Sequence, residues 1–429
     1  MIGRLAPWIQ ELKQSERSVF EPGCGHAAFL VAAVRHLTSL LPAEMEEPAA
    51  RRAYLRQRLR GCDADDFALE IARLSLTLAD IPNPNGWMLD KADVFASDIL
   101  ETAGRKATIV LANPPFENLS LEQRRKYARA FREPTNINKT AEILGRTFAA
   151  MPDNGLFGVV VPQNLLHGKN SSGFRRWLVA NCDFEEMCLF PDKVFNFADH
   201  ESAVLIGRKV SSPSGSRKLR FRRVREREMP VFRSAYAATT ELSIPQSRFE
   251  TAEDHDLRVP DLDAVWQACR ELPTLEKFVE VGQGFSFIGE DQPAFPKGAK
   301  TVSDEKFPGA VRGFENLGKD LTTHGLPPLR WLNLADDIIL RARSGTTTGV
   351  PQVLVNEAPV QRARWCVKAL IDHTGRPATT CFTILRPRTP RVSLNVLWAF
   401  ANSPFANAFA YSHSTKWHII TGTWRALPV

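Results

Sequence analysis

The stretch IVLANPPFENLS, residues 109 to 120, places an amide, two prolines and an aromatic ring directly after a short apolar run. The apolar run predicts a buried parallel strand, and the prolines must end it at Asn113 because proline cannot continue a central strand. The Asn113 side chain and the rigidly held carbonyl of Pro114 then offer two acceptors for both hydrogens of one amino group. Such placed dipoles would free the lone pair of a conjugated amine for nucleophilic attack. Phe116 would stack on the ring that carries the amine.

The candidate catalytic residues are therefore Asn113, Pro114, Pro115 and Phe116. The alternative for these four residues is a plain turn that ends a strand.

The segment SVFEPGCGHAAFLVAAV predicts a strand, a glycine-bearing turn and a helix. Gly23 and Gly25 would let the backbone approach a ligand, and the following helix N-terminus contributes a positive field. Glu21 stands at the strand tip, where a carboxylate repels a pyrophosphate and suits a cationic ligand. S-adenosylmethionine carries both a sulfonium and an ammonium, so we expect it as the cofactor.

Two further acids follow the next two predicted strands. Asp63 is positioned to accept both ribose hydroxyls of a nucleoside, and Asp93 the amino group of its adenine. The alternative is that Asp63, Asp65 or Asp66 caps a helix. Asp63 lies farther along the chain from the glycine turn than is usual. We ascribe the excess to the insertion LPAEMEEPAARRAYL, interpreted as a surface loop.

These residues need elements that bring the strand tips to one crevice. Strand-like runs are predicted at 18–21, 58–63, 87–93, 108–112, 156–161, 185–190 and 202–208. Helices are predicted at 28–41, 66–78, 121–132, 140–151 and 173–181. The alternation predicts an α/β fold with a doubly wound, mostly parallel, seven-stranded Rossmann-like sheet, in which ligands bind at the carboxyl ends of the strands.

The chain divides into three predicted parts: a catalytic domain at 1–210, a basic connecting segment at 211–274 and a second domain at 275–429. The boundary is placed at SSPSGSRK, a Ser/Pro/Gly break before the basic run RKLRFRRVRER. That run is either a solvated strand and turn or an edge that contacts phosphate. The second domain has short strand-like pieces and loops, so we expect a mixed α+β structure.

Composition limits the class of protein. The 429 residues, 44% of them hydrophobic and 24% charged, are typical of a globular protein of two or three domains. The net charge of +7 permits a polyanionic partner without requiring one. Seven scattered cysteines in no metal-ligand spacing predict reduced thiols and a cytoplasmic location. We expect no membrane segment and no metal.

Two of these segments resemble motifs of a known family. FEPGCGHAAFL resembles motif I of the gamma-type DNA amino-methyltransferases, with Ala27 at a position where the family often has glycine, and LANPPF resembles their motif IV. The order of the motifs, followed by a second domain, is similar to that of the N6-adenine methyltransferases of Type I and Type IIG restriction systems. NGLFGVVVPQNLL also resembles the fifth-strand segment of that family.

A third segment, FPDKVFNFADHESAVLIGRK, resembles the one in which an aromatic residue packs on the target base of that family. The match implies that Phe195 is the second stacking residue, opposite Phe116. Phe197 is the other candidate, and an ordinary core phenylalanine is the remaining alternative.

The resemblance, which covers residues 18 to 210, implies methylation of the N6 amino group of adenine in double-stranded DNA, with the base flipped out of the helix. Later, NSPFANAF resembles a helix, RPATTCFTILRP a strand and HIITGTWRALPV the end of the family's target-recognition domain. The second domain would then hold the duplex. Candidate contacts are Arg341, Arg343, Arg362, Arg364, Lys368 and Lys416. A restriction or defence-system subunit is a candidate partner.

The family's Thr-Pro segment, which covers the methionine end of the cofactor, is not visible ahead of the first strand. A different N-terminal helix, another subunit or a longer native chain would supply it.

Three other functions remain open from the residues alone. A protein glutamine methyltransferase also uses an Asn-Pro-Pro-aromatic corner, but it does not need the second domain. An RNA base N-methyltransferase would look similar in this sequence. A catalytically inactive DNA-binding specificity protein is the third alternative, although such a protein has no chemical reason to keep Asn113.

Overall fold

A computed structural model describes the whole chain except residues 82–85, 193, 195–199, 214–216, 317–324, 326, 359–364 and 414–417. It divides into two compact units, Met1–Arg258 and Val259–Val429. In the described part of the chain, no helix is both long and apolar enough to cross a bilayer.

The first unit is built on one nine-stranded sheet. Its strands are β1 (Val19–Pro22), β2 (Leu59–Asp63), β3 (Met88–Lys91), β4 (Ile109–Ala112), β5 (Leu156–Pro162), β6 (Cys182–Phe190), β7 (Ser202–Lys209), β8 (Lys218–Arg223) and β9 (Thr240–Pro245). Their spatial order is β3-β2-β1-β4-β5-β7-β6-β8-β9. The five neighbouring strands β3, β2, β1, β4 and β5 are parallel to one another. Strand β7 runs antiparallel to both β5 and β6. The chain order reverses between β1 and β4, and such a switch point is where sheets of this kind bind ligands.

The helices of this unit are α1 (Ile2–Glu11), α2 (Ala28–Thr38), α3 (Pro48–Arg58), α4 (Asp66–Ala79), α5 (Ile99–Gly104), α6 (Leu121–Ala130), α7 (Lys139–Ala150), α8 (Ser172–Asn181), α9 (Met229–Ala235) and α10 (Ser247–Glu250). In α2 the buried residues recur at helical spacing and pack with α1 and α4 on the sheet; they are Leu30, Ala33, Val34 and Leu37. The consecutive strand residues Val19 and Phe20 are 2% and 1% exposed, so β1 is covered on both faces. The doubly wound fold is confirmed, and each predicted strand overlaps a strand of the sheet.

The sheet differs from the predicted seven-stranded one because the basic segment adds β8 and β9. Leu219 and Phe221 of β8 are buried, whereas Arg220 and Arg222 alternate with them and meet carboxylates. That alternation makes β8 a half-buried strand instead of a linker, and the first unit continues to Arg258.

The insertion interpreted as a surface loop is largely helical, so that interpretation is wrong. Helix α3 begins after Glu47, whose side chain accepts hydrogen bonds from two amides of the first turn, and Pro48 occupies its first position. Tyr54 and Leu55 bury one face of α3 against the core, which gives the helix a tertiary reason to form.

The second unit contains both strands and helices. The strands are β10 (Val279–Gln283), β11 (Ser286–Phe287), β12 (Val302–Ser303), β13 (Ala310–Gly313), β14 (Arg330–Asn333), β15 (Ile339–Arg341), β16 (Gln352–Asn356), β17 (Ala369–Asp372) and β18 (Phe382–Pro387). The helices are α11 (Asp263–Ala268), α12 (Leu394–Ala401), α13 (Pro404–His413) and α14 (Thr421–Arg425). Its core joins an antiparallel sheet, β10-β18-β16-β17, to α12 and α13.

Candidate active site

Four neighbouring parallel strands carry the candidate residues to one edge of the sheet. Pro22 of β1 pairs with Cys62 of β2, and Asp63 pairs with Lys91 of β3. Strand β4 lies on the other side of β1 and ends at Ala112, one residue before Asn113. Because adjacent strands lie about 4.8 Å apart, the tips of β1, β2 and β4 form one continuous surface at the switch point.

The glycine turn after β1 is held in a left-handed conformation. Gly23 and Gly25 have φ of 65° and 51°, and Ala27 takes a φ of 62° where glycine would be unstrained. Among the residues that the structure describes, none beyond the chain neighbours places an atom within 4 Å of a Cβ built on either glycine, so these residues leave space above the turn. The turn is tied to β2, because the Cys24 amide donates to the Cys62 carbonyl at 2.9 Å.

Glu21 lies beneath this turn and is only 3% exposed. Its Oε2 accepts a hydrogen bond from the Leu30 amide, 3.0 Å away in the first turn of α2. Burial raises the pKa of Glu21 to about 8, against the opposing effect of hydrogen bonds from the Leu30 and Phe29 amides. The carboxyl group is therefore mostly protonated at neutral pH in the free protein, and a nearby cation would favour its ionised form.

Asp63 joins two loops at the tip of β2. Its Oδ2 accepts from the Gly25 amide at 2.9 Å and its Oδ1 from the Asp65 amide at 3.0 Å. Asp65, not Asp63, is the N-cap of α4, where it accepts from the Phe67 amide. Both carboxylate oxygens of the half-buried Asp63 keep a lone pair that could accept a ligand hydroxyl.

Asp93 lies two residues beyond the end of β3, in a loop and not at the strand terminus that was predicted. Its Oδ1 accepts from the Phe95 amide at 3.0 Å. Burial and the nearby Asp93 carboxylate both raise the pKa of Tyr127. The Phe95 and Tyr127 rings are 5.2 Å apart, so an aromatic pair flanks the carboxylate. Sequence reasoning missed this pair, because nothing in the spacing of Phe95 and Tyr127 predicts that α6 meets the β3 loop.

The Asn-Pro-Pro-Phe turn leaves its first side chain available. Asn113 is exposed, and among the described residues none makes a hydrogen bond to its side chain. The carbonyl of Pro115 accepts from Thr140 Oγ1 at 2.7 Å, and that of Phe116 accepts from Asn138 Nδ2 at 3.0 Å. The buried Pro114 and these two bonds hold the turn in one conformation.

Phe116 is half-buried, and its ring meets the His200 ring edge-on with 6.4 Å between centroids. Phe195 and Phe197 lie outside the described residues, so the second stacking position stays a prediction.

The candidate duplex contacts of the second unit are partly described. Arg341 is exposed, Arg343 is exposed and hydrogen-bonds to Gln283, and Lys368 is half-buried. Arg362, Arg364 and Lys416 lie outside the described residues.

Comparison with known proteins adds a family and a fold. A family model described as N-6 DNA Methylase matches residues 4–218. The solved Type ISP restriction-modification enzyme LlaGI, a nuclease-deletion mutant in complex with a DNA substrate mimic, is similar at a TM-score of 0.62 and 11% identity over 99% of this chain and 44% of that chain. The Type IIL restriction-modification enzyme MmeI in complex with DNA is similar at a TM-score of 0.58 and 13% identity, over 97% of this chain and 64% of that chain. A DrdV–DNA complex is similar at a TM-score of 0.57 and 12% identity, over 99% of this chain and 56% of that chain.

These similarities establish the fold. The chain spans less than two thirds of each of those proteins, and 60%, 57% and 47% of three solved chains from type I restriction systems. No curated protein sequence matches the chain.

Proposed function

We propose, because the chain belongs to the N-6 DNA methylase family, that it transfers a methyl group from S-adenosylmethionine to the N6 amino group of adenine in DNA. The observation that carries the proposal is the convergence of Glu21, Asp63 and the Asn113 turn on adjacent strand tips at the switch point. Each of these groups suits one part of the reacting pair.

The cofactor would lie across the tips of β1, β2 and β3. Glu21 faces the cationic methionine end, Asp63 accepts the ribose hydroxyls, and Asp93 accepts the adenine amino group. The open space above Gly23 and Gly25 fits a ligand that approaches the backbone closely. S-adenosylmethionine, when bound there, supplies an activated methyl group.

The target amino group would be held by Asn113 and Pro114. The Asn113 side-chain carbonyl and the Pro114 backbone carbonyl each accept one hydrogen of the amine, which favours a pyramidal nitrogen with a directed lone pair. The nitrogen would attack the methyl carbon as the bond from that carbon to sulfur breaks, and S-adenosylhomocysteine would leave as a neutral thioether. The methylated nitrogen would then lose one proton to solvent water.

An adenine inside a duplex cannot reach this turn, so the base must leave the stack at a cost of about a few kcal/mol. Stacking on Phe116 offsets part of that cost. Phe195, assigned from the sequence resemblance, would cover the other face of the base.

The second unit would bind the duplex and select its sequence. The LlaGI, MmeI and DrdV structures contain DNA or a DNA mimic, and their similarity covers nearly the whole of this chain. On this chain, Arg341, Arg343 and Lys368 are the described candidates for phosphate or base contacts. A restriction subunit or domain is the proposed partner.

The test is transfer of a radiolabelled methyl group from S-adenosylmethionine to unmethylated bacterial DNA, total RNA and a protein mixture. We expect label in DNA as N6-methyladenine, and its loss in Asn113→Ala. The matched control is Asn181→Ala. Asn181 ends α8 directly before β6, so it lies at the amino ends of the parallel strands, away from the carboxyl ends where Asn113 lies. Label in RNA or protein would overturn the substrate, and equal activity of the two variants would overturn the role of Asn113.

A further inference from the structure

Helix α7 and its N-cap residue make hydrogen bonds to two loops that follow the carboxyl ends of β3 and β4. One is the catalytic turn, defined as residues 113–119. The other is the adenine loop, defined as residues 93–98, which carries Asp93. Most side chains of the 12-residue helix are buried, so α7 is fixed in the core while both loops depend on it.

The N-terminus of α7 holds the catalytic turn. Asn138 and Thr140, which are 5% and 0% exposed, donate to the Phe116 and Pro115 carbonyls at 3.0 and 2.7 Å. The backbone adds two bonds, from the Leu119 amide to the Ile137 carbonyl and from the Lys139 amide to the Glu117 carbonyl. These two backbone bonds form an isolated antiparallel β-bridge between Asn118 and Asn138, so the turn is held by backbone and side-chain hydrogen bonds together.

The middle of α7 holds the adenine loop through Arg146, which is 8% exposed. Its guanidinium donates to the carbonyls of Val94 and Ser97 at 2.7 and 2.6 Å. It also forms a two-point pair with Glu101 of α5, with both distances 2.8 Å. Burial raises the pKa of Glu101, but the hydrogen bonds to this carboxylate and the positive charges of Arg146 and Arg132 together outweigh burial, and the pKa lies below its usual value.

We propose that α7 is a brace that sets the distance between the target amine and the cofactor, with Asn138, Thr140 and Arg146 as positioning residues. The inference rests on the proposed function, because it assigns the two loops to the two reacting molecules. One rigid helix holds both loops, so a displacement of either changes the alignment of attack. A misplacement of about 1 Å can cost about a hundredfold in rate.

The first test separates the effect of the hydrogen bond to the catalytic turn on the rate from the effect of a buried substitution on the stability of the protein. Thr140→Val removes the hydroxyl and keeps the shape, and we expect kcat to fall at least tenfold while cofactor affinity stays within about twofold. Thr140→Ser should restore most of the rate. The matched control is Thr147→Val, because Thr147 is equally buried in α7 but donates to the Ile143 carbonyl of its own helix.

Asn138 has two roles that one substitution separates. Its Oδ1 accepts from the Ala141 amide and caps α7, whereas its Nδ2 reaches the turn. Asn138→Asp keeps the cap and replaces the donor by an oxygen that faces the carbonyls of Phe116 and Asn118. It should lower kcat as Thr140→Val does, and it should also lower the unfolding temperature, so kcat is measured well below that temperature. A rate like that of the wild type in Asn138→Asp would overturn the role of this donor.

Arg146 is tested by binding of S-adenosylmethionine alone, which requires no turnover. Arg146→Met should weaken binding about tenfold, and Arg146→Lys should recover only part of it, because an ammonium cannot reproduce the planar fork. The control is Arg51→Met. Arg51 lies on α3, and its substitution breaks another partly buried ion pair, the one between Arg51 and Asp80. Equal affinities of the wild type and both Arg146 variants would overturn the assignment.

Amide hydrogen exchange tests whether α7 couples the two loops, and this measurement does not require methyl transfer. In the wild type, cofactor binding should slow amide exchange in the adenine loop and at residues 116–119 of the catalytic turn. In Arg146→Met the effect on residues 116–119 should be lost. If cofactor binding slows exchange in both loops but no methyl group is transferred, the coupling of the loops through α7 stands and the proposed methyltransferase activity is overturned. Protection confined to the adenine loop in the wild type would overturn the brace.

Discussion

At the scale of single residues, Glu21 has two functions that compete for one carboxyl group. It satisfies an amide in the first turn of α2, and it is the only proposed contact to the cationic end of the cofactor. Its pKa of about 8 means that the free protein keeps this group neutral over most of the physiological range. Binding of a cation would therefore include the release of a proton.

We predict that the affinity for S-adenosylmethionine rises with pH between 6 and 8 and levels off above 8. The sign follows from the raised pKa, because the binding-competent carboxylate becomes more abundant until pH passes about 8. The rise should approach tenfold per pH unit at the acidic end. Calorimetry in buffers of different ionisation enthalpy should show proton release at pH 7.

Glu21→Gln should remove both the pH dependence and the proton release. S-adenosylhomocysteine, which lacks the sulfonium charge, serves as the control ligand and should show a weaker dependence. A dissociation constant that does not change between pH 6 and 8 would contradict the proposed contact.

At the scale of elements, strand β8 shows how a basic run can be used internally. The alternative of a phosphate-contacting edge is not supported for the residues that pair within the sheet. Arg217 pairs with Asp183 at 3.0 Å, and Arg220 makes a two-point pair with Glu241 at 2.7 and 2.8 Å. Side chains already paired with carboxylates have less to gain from a phosphate.

We therefore predict that Arg220→Gln changes DNA affinity less than twofold and leaves its salt dependence unaltered. Arg341→Gln in the second unit, where the arginine is exposed, should weaken binding and reduce the slope of log K against log salt by about 1. Binding titrations between 50 and 200 mM salt would measure both slopes. The reverse ranking would move the DNA contact to the sheet edge of the first unit.

At the scale of the whole molecule, each compact unit has its own apolar core. In the first unit, β1, α2 and α4 share a buried cluster with α1. In the second, β10, β16 and β18 form another with α12 and α13. A unit with a complete core can fold by itself.

We predict that the fragment Met1–Arg258 unfolds cooperatively and binds S-adenosylmethionine within about threefold of the full chain, since the proposed cofactor contacts all lie in this unit. The same fragment should lose methylation of duplex DNA at concentrations where the full chain is active. Circular dichroism, calorimetry and the methyl-transfer assay would test these expectations. A fragment 1–210, which ends before β8 and β9, should be less stable because it leaves one hydrogen-bonding edge of β6 unpaired.

Local patterns were sufficient to predict the seven strands of the doubly wound sheet and the place of its glycine turn. Apolar runs, prolines and glycines act within a few residues, so they can be recognised without knowledge of the contacts. The insertion before β2 was predicted wrongly. Its N-cap is a glutamate instead of the usual short side chain, and its buried face consists mainly of Tyr54 and Leu55.

The amino-acid order alone was enough to identify Asn113–Phe116, Glu21, Asp63 and Asp93 as candidates, because each lies at the end of a strand, or just beyond it, that could be recognised locally. The partners of these residues could not be predicted in this way. Asp93 and Tyr127, or Pro115 and Thr140, meet only because the sheet brings loops from separate β–α units to one edge. The same is true of β8, where the alternation was local but the carboxylates that pair with Arg222 and Arg220 come from β6 and β9. Strand order and side-chain pairing depend on burial across the whole domain, and only the folded structure specifies them.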